Sequence, residues 1–242
     1  KDYRAIAVPR PATGVIVIEA SPWIADNQWV LDLAAREPLI AGYVGYLPIG
    51  TKAFAENLKR LAANKHFRGV RLRERKLDDT AFINDLRLLA RHNLSLDLAG
   101  GMEILPFADR LAGKVPELRI IIDHLAGVAV DGKSPPRQWV DAMRKVARHP
   151  GVFCKLSGLV EGTGRDGGLA PRDVEFYRPV LDVMLAIFGS ERLMYASDWP
   201  VSGRFAPMTV VQGIVGEYFR RFGSAAEEAV FWRTASAAYR VT

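Results

Sequence analysis

Short apolar runs that alternate with longer amphipathic segments constrain this sequence more than any other feature. Most of the runs are continuously apolar, as strands buried on both faces of a parallel sheet must be. Several of the segments between them begin with Asp or Pro and end with Asn, Gly or Pro, which is typical of helices. The runs are GVIVIEA (14–20), IAGYVGYLP (40–48), FRGVRL (67–72), LSLDLA (94–99), LRIIIDH (118–124), GVFCKLSG (151–158) and RLMYASD (192–198). This repeated order of strand and helix predicts an α/β fold with a parallel sheet.

The number of predicted strands is seven, whereas a closed barrel of this size has about eight. We therefore predict a single (β/α)8 TIM-like barrel domain over residues 1–242 that lacks its N-terminal first strand, which we place before Lys1. The alternative is an open doubly wound sheet, which needs no eighth strand. Such a sheet usually has a glycine-rich phosphate turn after its first strand, and IEASPWIADN (18–27) is no such turn.

Charge and composition restrict the partners that this chain can have. The net charge is +6, but Lys and Arg are spread along the chain. The densest cluster, RGVRLRERK (68–76), has no interleaved aromatic residues, so we predict no nucleic-acid partner.

No apolar run reaches the roughly 20 residues of a membrane helix, so we predict no membrane association. The single cysteine, Cys154, lies in an apolar stretch, which favours a cytoplasmic location. The sequence leaves open whether the chain forms a homo-oligomer.

Polar residues stand at the ends of the predicted strands. In a (β/α) barrel the catalytic groups lie at the C-terminal ends of the strands, so these residues are candidates for an active site. They are Glu19, Ser21, Tyr46, Arg71, Arg73, Asp97, Asp123, His124, Lys155, Ser157 and Asp198.

Each candidate also has a structural interpretation. Asp198 could cap a helix or form a loop salt bridge, since SDWP could start a helix with Pro near its first turn. His124 could be a hydrogen-bonded histidine beside a core strand. Arg71 could be a surface cation, but at a strand end its guanidinium would bind a substrate carboxylate through two N–H groups. We expect Asp198 and His124 to be catalytic. Further substrate-binding candidates are Arg73, Tyr46, Lys155 and Trp199.

Four motifs carry a resemblance to a known family: FRGVRL, LRIIIDHLAG, GVFCKLSGLV and RLMYASDWPV. They resemble the amidohydrolase-2 group of the amidohydrolase superfamily, and within it the sugar lactonases that include fuconolactonases and, as a relative, pyrone-dicarboxylate lactonase. The resemblance extends from about residue 14 to the end. It implies a distorted (β/α)8 barrel in which Asp198 activates water and His124 belongs to the site.

The sequence departs from the family pattern where metals bind. The family's first strand normally ends in a His-x-His pair, and that strand is the one predicted to be missing. Metal-dependent members also have a His after strand five, where this chain reads LDLAGGM with Asp97. His124 and Asp198 would be ligands if a metal is present, but a zinc site needs about three or four protein groups. We expect no required cofactor, or one divalent metal such as zinc.

These features predict a hydrolase that opens the lactone of a sugar acid or a related small carboxylated compound, in carbohydrate catabolism. Asp198 would take a proton from water and His124 would polarise the carbonyl. One alternative is a metal-dependent amidohydrolase or decarboxylase of the same superfamily, in which the metal activates the water. The other is a catalytically inactive barrel that acts as a binding subunit.

Overall fold

Seven parallel strands form one sheet in the computed structural model, which describes residues 2–6, 8–73 and 75–241. Within these residues the strands pair in chain order, so β1 and β7 are the edge strands. The strands are β1 Val15–Ile18, β2 Ile40–Gly45, β3 Phe67–Leu72, β4 Ser95–Leu98, β5 Arg119–Ile122, β6 Val152–Leu156 and β7 Leu193–Tyr195. Each lies within one of the predicted apolar runs, which confirms the predicted parallel α/β fold.

Helices connect the strands and cover the outer face of the sheet. Two of them begin at aspartates whose carboxylates accept hydrogen bonds from backbone N–H groups: Asp79 before α4 and Asp173 before α7. The helices are α1 Asp2–Ala5, α2 Ile24–Ala34, α3 Phe54–Ala62, α4 Thr80–Arg91, α5 Leu105–Lys114, α6 Arg137–Ala147, α7 Val174–Phe188, α8 Met208–Arg220, α9 Ser224–Glu228 and α10 Thr234–Tyr239. Among the described helices, none has the length and apolar character needed to cross a membrane.

Two apolar clusters occupy the two faces of the sheet. The larger lies between strands and helices, where Val70 and Ile120 pack with helix residues such as Leu86. The smaller includes Val44 of β2 and Met194 of β7. Because side chains alternate between the faces of a strand, these residues point away from the helices. They belong to one cluster although four strands separate β2 from β7, which shows that the sheet is curled like a barrel.

The last helix closes one end of this curled sheet. Ala238 and Tyr239 of α10 belong to the smaller cluster and are fully buried. Arg119, the first residue of β5, donates a hydrogen bond from Nε to the carbonyl oxygen of Ala238 at 2.7 Å. Since Arg119 begins its strand, α10 lies at the N-terminal end of the sheet. The opposite end, where the strands finish, is left for the polar residues predicted from the sequence.

Candidate active site

Two charged side chains point into the interior of the curled sheet. Asp97 of β4 and Lys155 of β6 lie in register with Ile121 and Met194, which belong to the inner cluster. Lys155 Nζ is 2.6 Å from Asp97 Oδ2 and 2.7 Å from Asp123 Oδ1. Their inward direction follows from the strand alternation, because the residues on either side face the helices.

The charges of this interior group are compensated. Burial raises the pKa of Asp97 to about 6, against the lowering effect of Lys155. Burial alone would lower the pKa of Lys155, but the carboxylates of Asp123 and Asp97 raise it well above its usual value. The phenol of Tyr239 donates to Asp97 Oδ2 at 2.7 Å, and Lys155 Nζ lies 5.8 Å from the centre of the Tyr239 ring. We call Asp97, Asp123, Lys155 and Tyr239 the central ion-pair cluster.

Two arginines lie at the end of β3 and point toward the end of β1. Arg71 Nε is 3.4 Å from Asp123 Oδ2, and Arg71 Nη1 donates to the backbone carbonyl of Glu19 at 3.2 Å. Arg73 Nη2 is 2.7 Å from Glu19 Oε2, and its guanidinium lies 5.6 Å from the centre of the Tyr46 ring. The side chain of Arg73 is 40% exposed, whereas that of Glu19 is 2% exposed. The structure thus brings together the predicted candidates Tyr46, Arg71 and Arg73.

His124 and Asp198 meet across the ends of β5 and β7. His124 Nδ1 is 3.7 Å from Asp198 Oδ2 and 2.9 Å from Ser157 Oγ. Both residues have φ of +50°, and Leu125 and Ala126 have φ of +53° and +50°. Such left-handed backbone is strained in residues other than glycine, and strain of this kind concentrates at functional sites. The left-handed backbone at these positions is unfavourable in energy, and it sets the directions in which the His124 and Asp198 side chains point.

The protonation of His124 follows from its surroundings. Burial lowers the pKa of His124, and the opposing effects of Asp123 and Asp198 do not reverse the shift. The imidazole is then neutral at pH 7, so it carries one N–H. If the Ser157 hydroxyl donates to Nδ1, the proton lies on Nε2, which can donate to a substrate.

Gly158 makes room for this arrangement. Its φ is +73°, and a Cβ atom there would lie 2.9 Å from the Cβ of His124. Only glycine combines this backbone conformation with such a close approach at low cost. The glycine after Ser157 thus allows the end of β6 to lie against His124.

One further carboxyl group lies beside Asp198 and was not among the residues predicted from the sequence. Glu161 belongs to the short 3-10 turn 161–163 that follows β6. Burial, together with the charge of Asp198 and a hydrogen bond to it, raises the pKa of Glu161 to about 7. Its segment, LVEGTGRDGG (159–168), is rich in glycine and has no periodicity. The available signal was a single carboxylate four residues beyond the strand-end Ser157.

Trp199 lies at the surface next to Asp198. Its side chain is 38% exposed, and its ring packs edge-on against Tyr3 of α1, with the ring centroids 5.5 Å apart. The seven predicted site residues lie in three places. Tyr46, Arg71 and Arg73 lie at or just past the ends of β2 and β3, at the C-terminal end of the sheet, which we call the mouth. His124, Asp198 and Trp199 lie past the ends of β5 and β7, and Lys155 lies in the interior.

The donors of the site determine whether it can hold a metal ion. Across residues 2–6, 8–73 and 75–241, no group of three or more His, Cys, Asp or Glu side chains is arranged to hold a metal ion. His124 and Asp198 provide two donors, and Nδ1 of His124 also contacts Ser157. Zinc sites need at least three protein ligands. The described residues do not fit a complete zinc site.

Comparisons with known proteins agree with this fold. Residues 2–241 match the family model described as "Amidohydro_2: Amidohydrolase". An L-fucono-1,5-lactonase from Burkholderia ambifaria is 34% identical over 194 residues, which cover 77% of this chain and 64% of that enzyme's length. The chain thus spans less than two thirds of this relative. An L-fucono-1,5-lactonase from Burkholderia multivorans is 29% identical over 229 residues, which cover 90% of this chain and 77% of the relative.

A solved structure shows the same fold. The crystal structure of an amidohydrolase from Burkholderia multivorans with bound zinc is 27% identical, and the likeness covers 95% of this chain and 84% of that one. The TM-score is 0.85, so the two backbones superimpose over nearly the whole of this chain. The resemblance inferred from the sequence motifs is therefore confirmed.

Proposed function

We propose that this chain, which belongs to the amidohydrolase family, hydrolyses the ester bond of a small sugar-acid lactone. The observation that carries the proposal is the His124–Asp198 pair, held on strained backbone at the strand ends. The similarity to two L-fucono-1,5-lactonases supports a lactone as the substrate. The reacting molecules are then a small-molecule lactone and water, within a single barrel domain.

Asp198 is the general base in this proposal. Its carboxylate removes a proton from a water molecule while the water oxygen forms a bond to the lactone carbonyl carbon. The carbonyl oxygen becomes negatively charged in the resulting tetrahedral intermediate. The 3.7 Å separation of His124 and Asp198 lets both side chains contact the same reacting centre.

His124 stabilises the charge that develops on the carbonyl oxygen. As a neutral imidazole with its proton on Nε2, it donates a hydrogen bond to that oxygen, an effect that is strong where water is excluded. The bond between the acyl carbon and the ring oxygen then breaks. The proton held by Asp198 moves to the departing alkoxide, which yields the open hydroxy acid and restores the carboxylate.

Arg71, Arg73 and Tyr46 orient the lactone. Their arrangement along one side of the mouth supports hydrogen bonding to the oxygens of the ring, so that the ester faces the water. Trp199 would contact the substrate from the rim. The two ion pairs of Lys155 favour a supporting role in the interior over direct contact with the substrate.

The metal-dependent alternatives need ligands beyond those that the described residues supply, so no step here is assigned to a metal. An inactive binding subunit is the remaining alternative. It predicts lactone binding without turnover, which the assay below separates from catalysis.

The test is the isosteric change Asp198→Asn. Asn keeps the shape and an acceptor oxygen but cannot accept the proton, so kcat for lactone hydrolysis should fall by about 10² to 10⁴. The melting temperature should stay close to wild type. Asp141→Asn, at an exposed position of α6, is the matched control and should leave kcat unchanged. A stable Asp198→Asn variant that keeps more than about half of kcat would contradict the mechanism, since a general base contributes far more than twofold.

A further inference from the structure

Glu19 is a buried carboxylate that belongs to no step of the mechanism above. It follows β1, and its Oε2 forms the 2.7 Å ion pair with Arg73. Its Oε1 is buried and accepts no hydrogen bond within the described part of the chain. A buried carboxylate with an unpaired oxygen is costly.

The charges around the mouth are balanced in pairs. Among the described residues of the site, Arg71, Arg73 and Lys155 are the cations that lie against buried carboxylates. Three buried carboxylates oppose them: Glu19 pairs with Arg73, Asp123 with Arg71, and Asp97 with Lys155, which Asp123 also contacts.

Two more carboxyl groups, Asp198 and Glu161, lie at the same end of the sheet. Counted over the described residues, the arginine pair therefore contributes no surplus positive charge to the mouth. A negatively charged substrate would meet at least one uncompensated carboxylate, that of Asp198.

We propose that Glu19 is a specificity-determining residue that neutralises Arg73 and so selects lactones without an ionised group over carboxylated lactones. The proposal rests on the proposed lactone hydrolysis at the His124–Asp198 pair. A substrate carboxylate at Arg73 would lie near the like charge of Glu19, and such a juxtaposition rejects a ligand. Substrate hydroxyl groups have no such penalty, because they accept hydrogen bonds from the N–H groups of Arg73 that remain exposed.

Arg71 is not free to bind a substrate carboxylate in the forked way expected from the sequence. A forked contact between Arg71 and a substrate carboxylate needs two free N–H groups on one edge of the guanidinium. In the structure Nε of Arg71 faces Asp123 and Nη1 donates to the carbonyl of Glu19. Both arginines are thus held by this chain's own acceptors.

The experiment compares kcat/KM for two lactones that differ at one terminal group: a hexonic acid lactone, which has an uncharged CH2OH group, and the lactone of the corresponding hexaric acid, which has a carboxylate in its place. The wild type should prefer the uncharged lactone by about tenfold or more. Glu19→Gln removes the negative charge beside Arg73 and should shift the ratio by about tenfold toward the carboxylated lactone. Glu19→Asp keeps the charge and should retain the wild-type preference.

Two further variants control the result. Glu175→Gln, which removes an exposed carboxylate paired with Arg178 on α7, changes the net charge equally and should not alter the ratio. Arg73→Gln leaves the charge of Glu19 uncompensated and should shift the ratio further toward the uncharged lactone, which gives a second test if Glu19→Gln does not fold.

The outcomes separate the two proposals. Hydrolysis of both lactones with an unchanged ratio in Glu19→Gln and Arg73→Gln would overturn the role of Glu19 and leave the lactonase activity standing. A wild-type preference for the carboxylated lactone would also overturn it. If neither lactone is hydrolysed, the proposed function fails, and the selection by Glu19 fails with it.

Discussion

Replacing Lys155 with methionine should destabilise the fold strongly, because the ammonium group joins two buried carboxylates. Methionine has a similar length but no charge. Among the residues that the structure describes, Asp97 would then keep the Tyr239 phenol and Asp123 the more distant Arg71. Removing one partner of a buried ion pair costs about 3 to 5 kcal/mol. At roughly 2 to 4 °C per kcal/mol for a domain of this size, the melting temperature should fall by about 6 to 20 °C.

The loss of stability should depend on pH. Burial already raises the pKa of Asp97 to about 6, and removal of Lys155 takes away the group that lowers it. A carboxyl group whose folded-state pKa is raised contributes stability that is lost as the pH rises through that pKa. The deficit of Lys155→Met relative to wild type should therefore be larger at pH 8 than at pH 5. Thermal and urea unfolding at both values measure it.

Two control variants isolate the ion pair. Lys145→Met, at an exposed position of α6, should change the melting temperature little. The double variant with Lys155→Met and Asp97→Asn should be more stable than Lys155→Met alone, because the carboxylate at position 97 is no longer left unpaired. A Lys155→Met protein that melts within about 2 °C of wild type, a shift of under about 1 kcal/mol, and has a raised KM would refute this reasoning. Lys155 would then be a substrate contact.

Two other variants test the mouth of the site. Arg71→Met should raise KM for a polyhydroxylated lactone by about tenfold, because a charged hydrogen bond is lost, while kcat changes little. An unchanged KM in steady-state kinetics would show that Arg71 has only a structural role. Burial raises the pKa of Glu161 to about 7, so the stability that its protonated form contributes is lost as the pH rises from about 4.5 through 7. Glu161→Gln cannot ionise, so its melting temperature relative to wild type should be higher at pH 8 than at pH 5, and an equal difference at both pH values would speak against this.

The strands could be predicted because burial on both faces leaves a clear mark on the sequence. Each predicted run contains one observed strand, and the polar residues that end the runs follow directly from that assignment. Asp198, His124 and Arg71 lie near one another because all strands are parallel and neighbouring strands end at the same edge. This part of the site depends only on strand order and strand ends.

The remainder depends on tertiary contacts that no local pattern encodes. The direction of Lys155 required the exact register of β6, and its partner Asp97 lies 58 residues earlier in the chain. Glu161 belongs to a glycine-rich turn without periodicity, so a single carboxylate there was too weak a signal to identify a neighbour of Asp198. The contact of Tyr239 with Asp97 joins residues 142 positions apart. Separations of this size leave no trace in the sequence near either residue.

The position of α10 has a consequence for the synthesis of this protein in the cell. All seven strands leave the ribosome before Ala238 and Tyr239, which close the N-terminal end of the sheet. Until these residues emerge, apolar side chains on the inner face, such as Val44 and Met194, lack part of their native cover. Partly folded chains with exposed apolar surface are prone to aggregation and are the usual clients of chaperones. A nascent chain stalled before residue 238 would keep this face open, because the side chains of α10 that cover it would be missing.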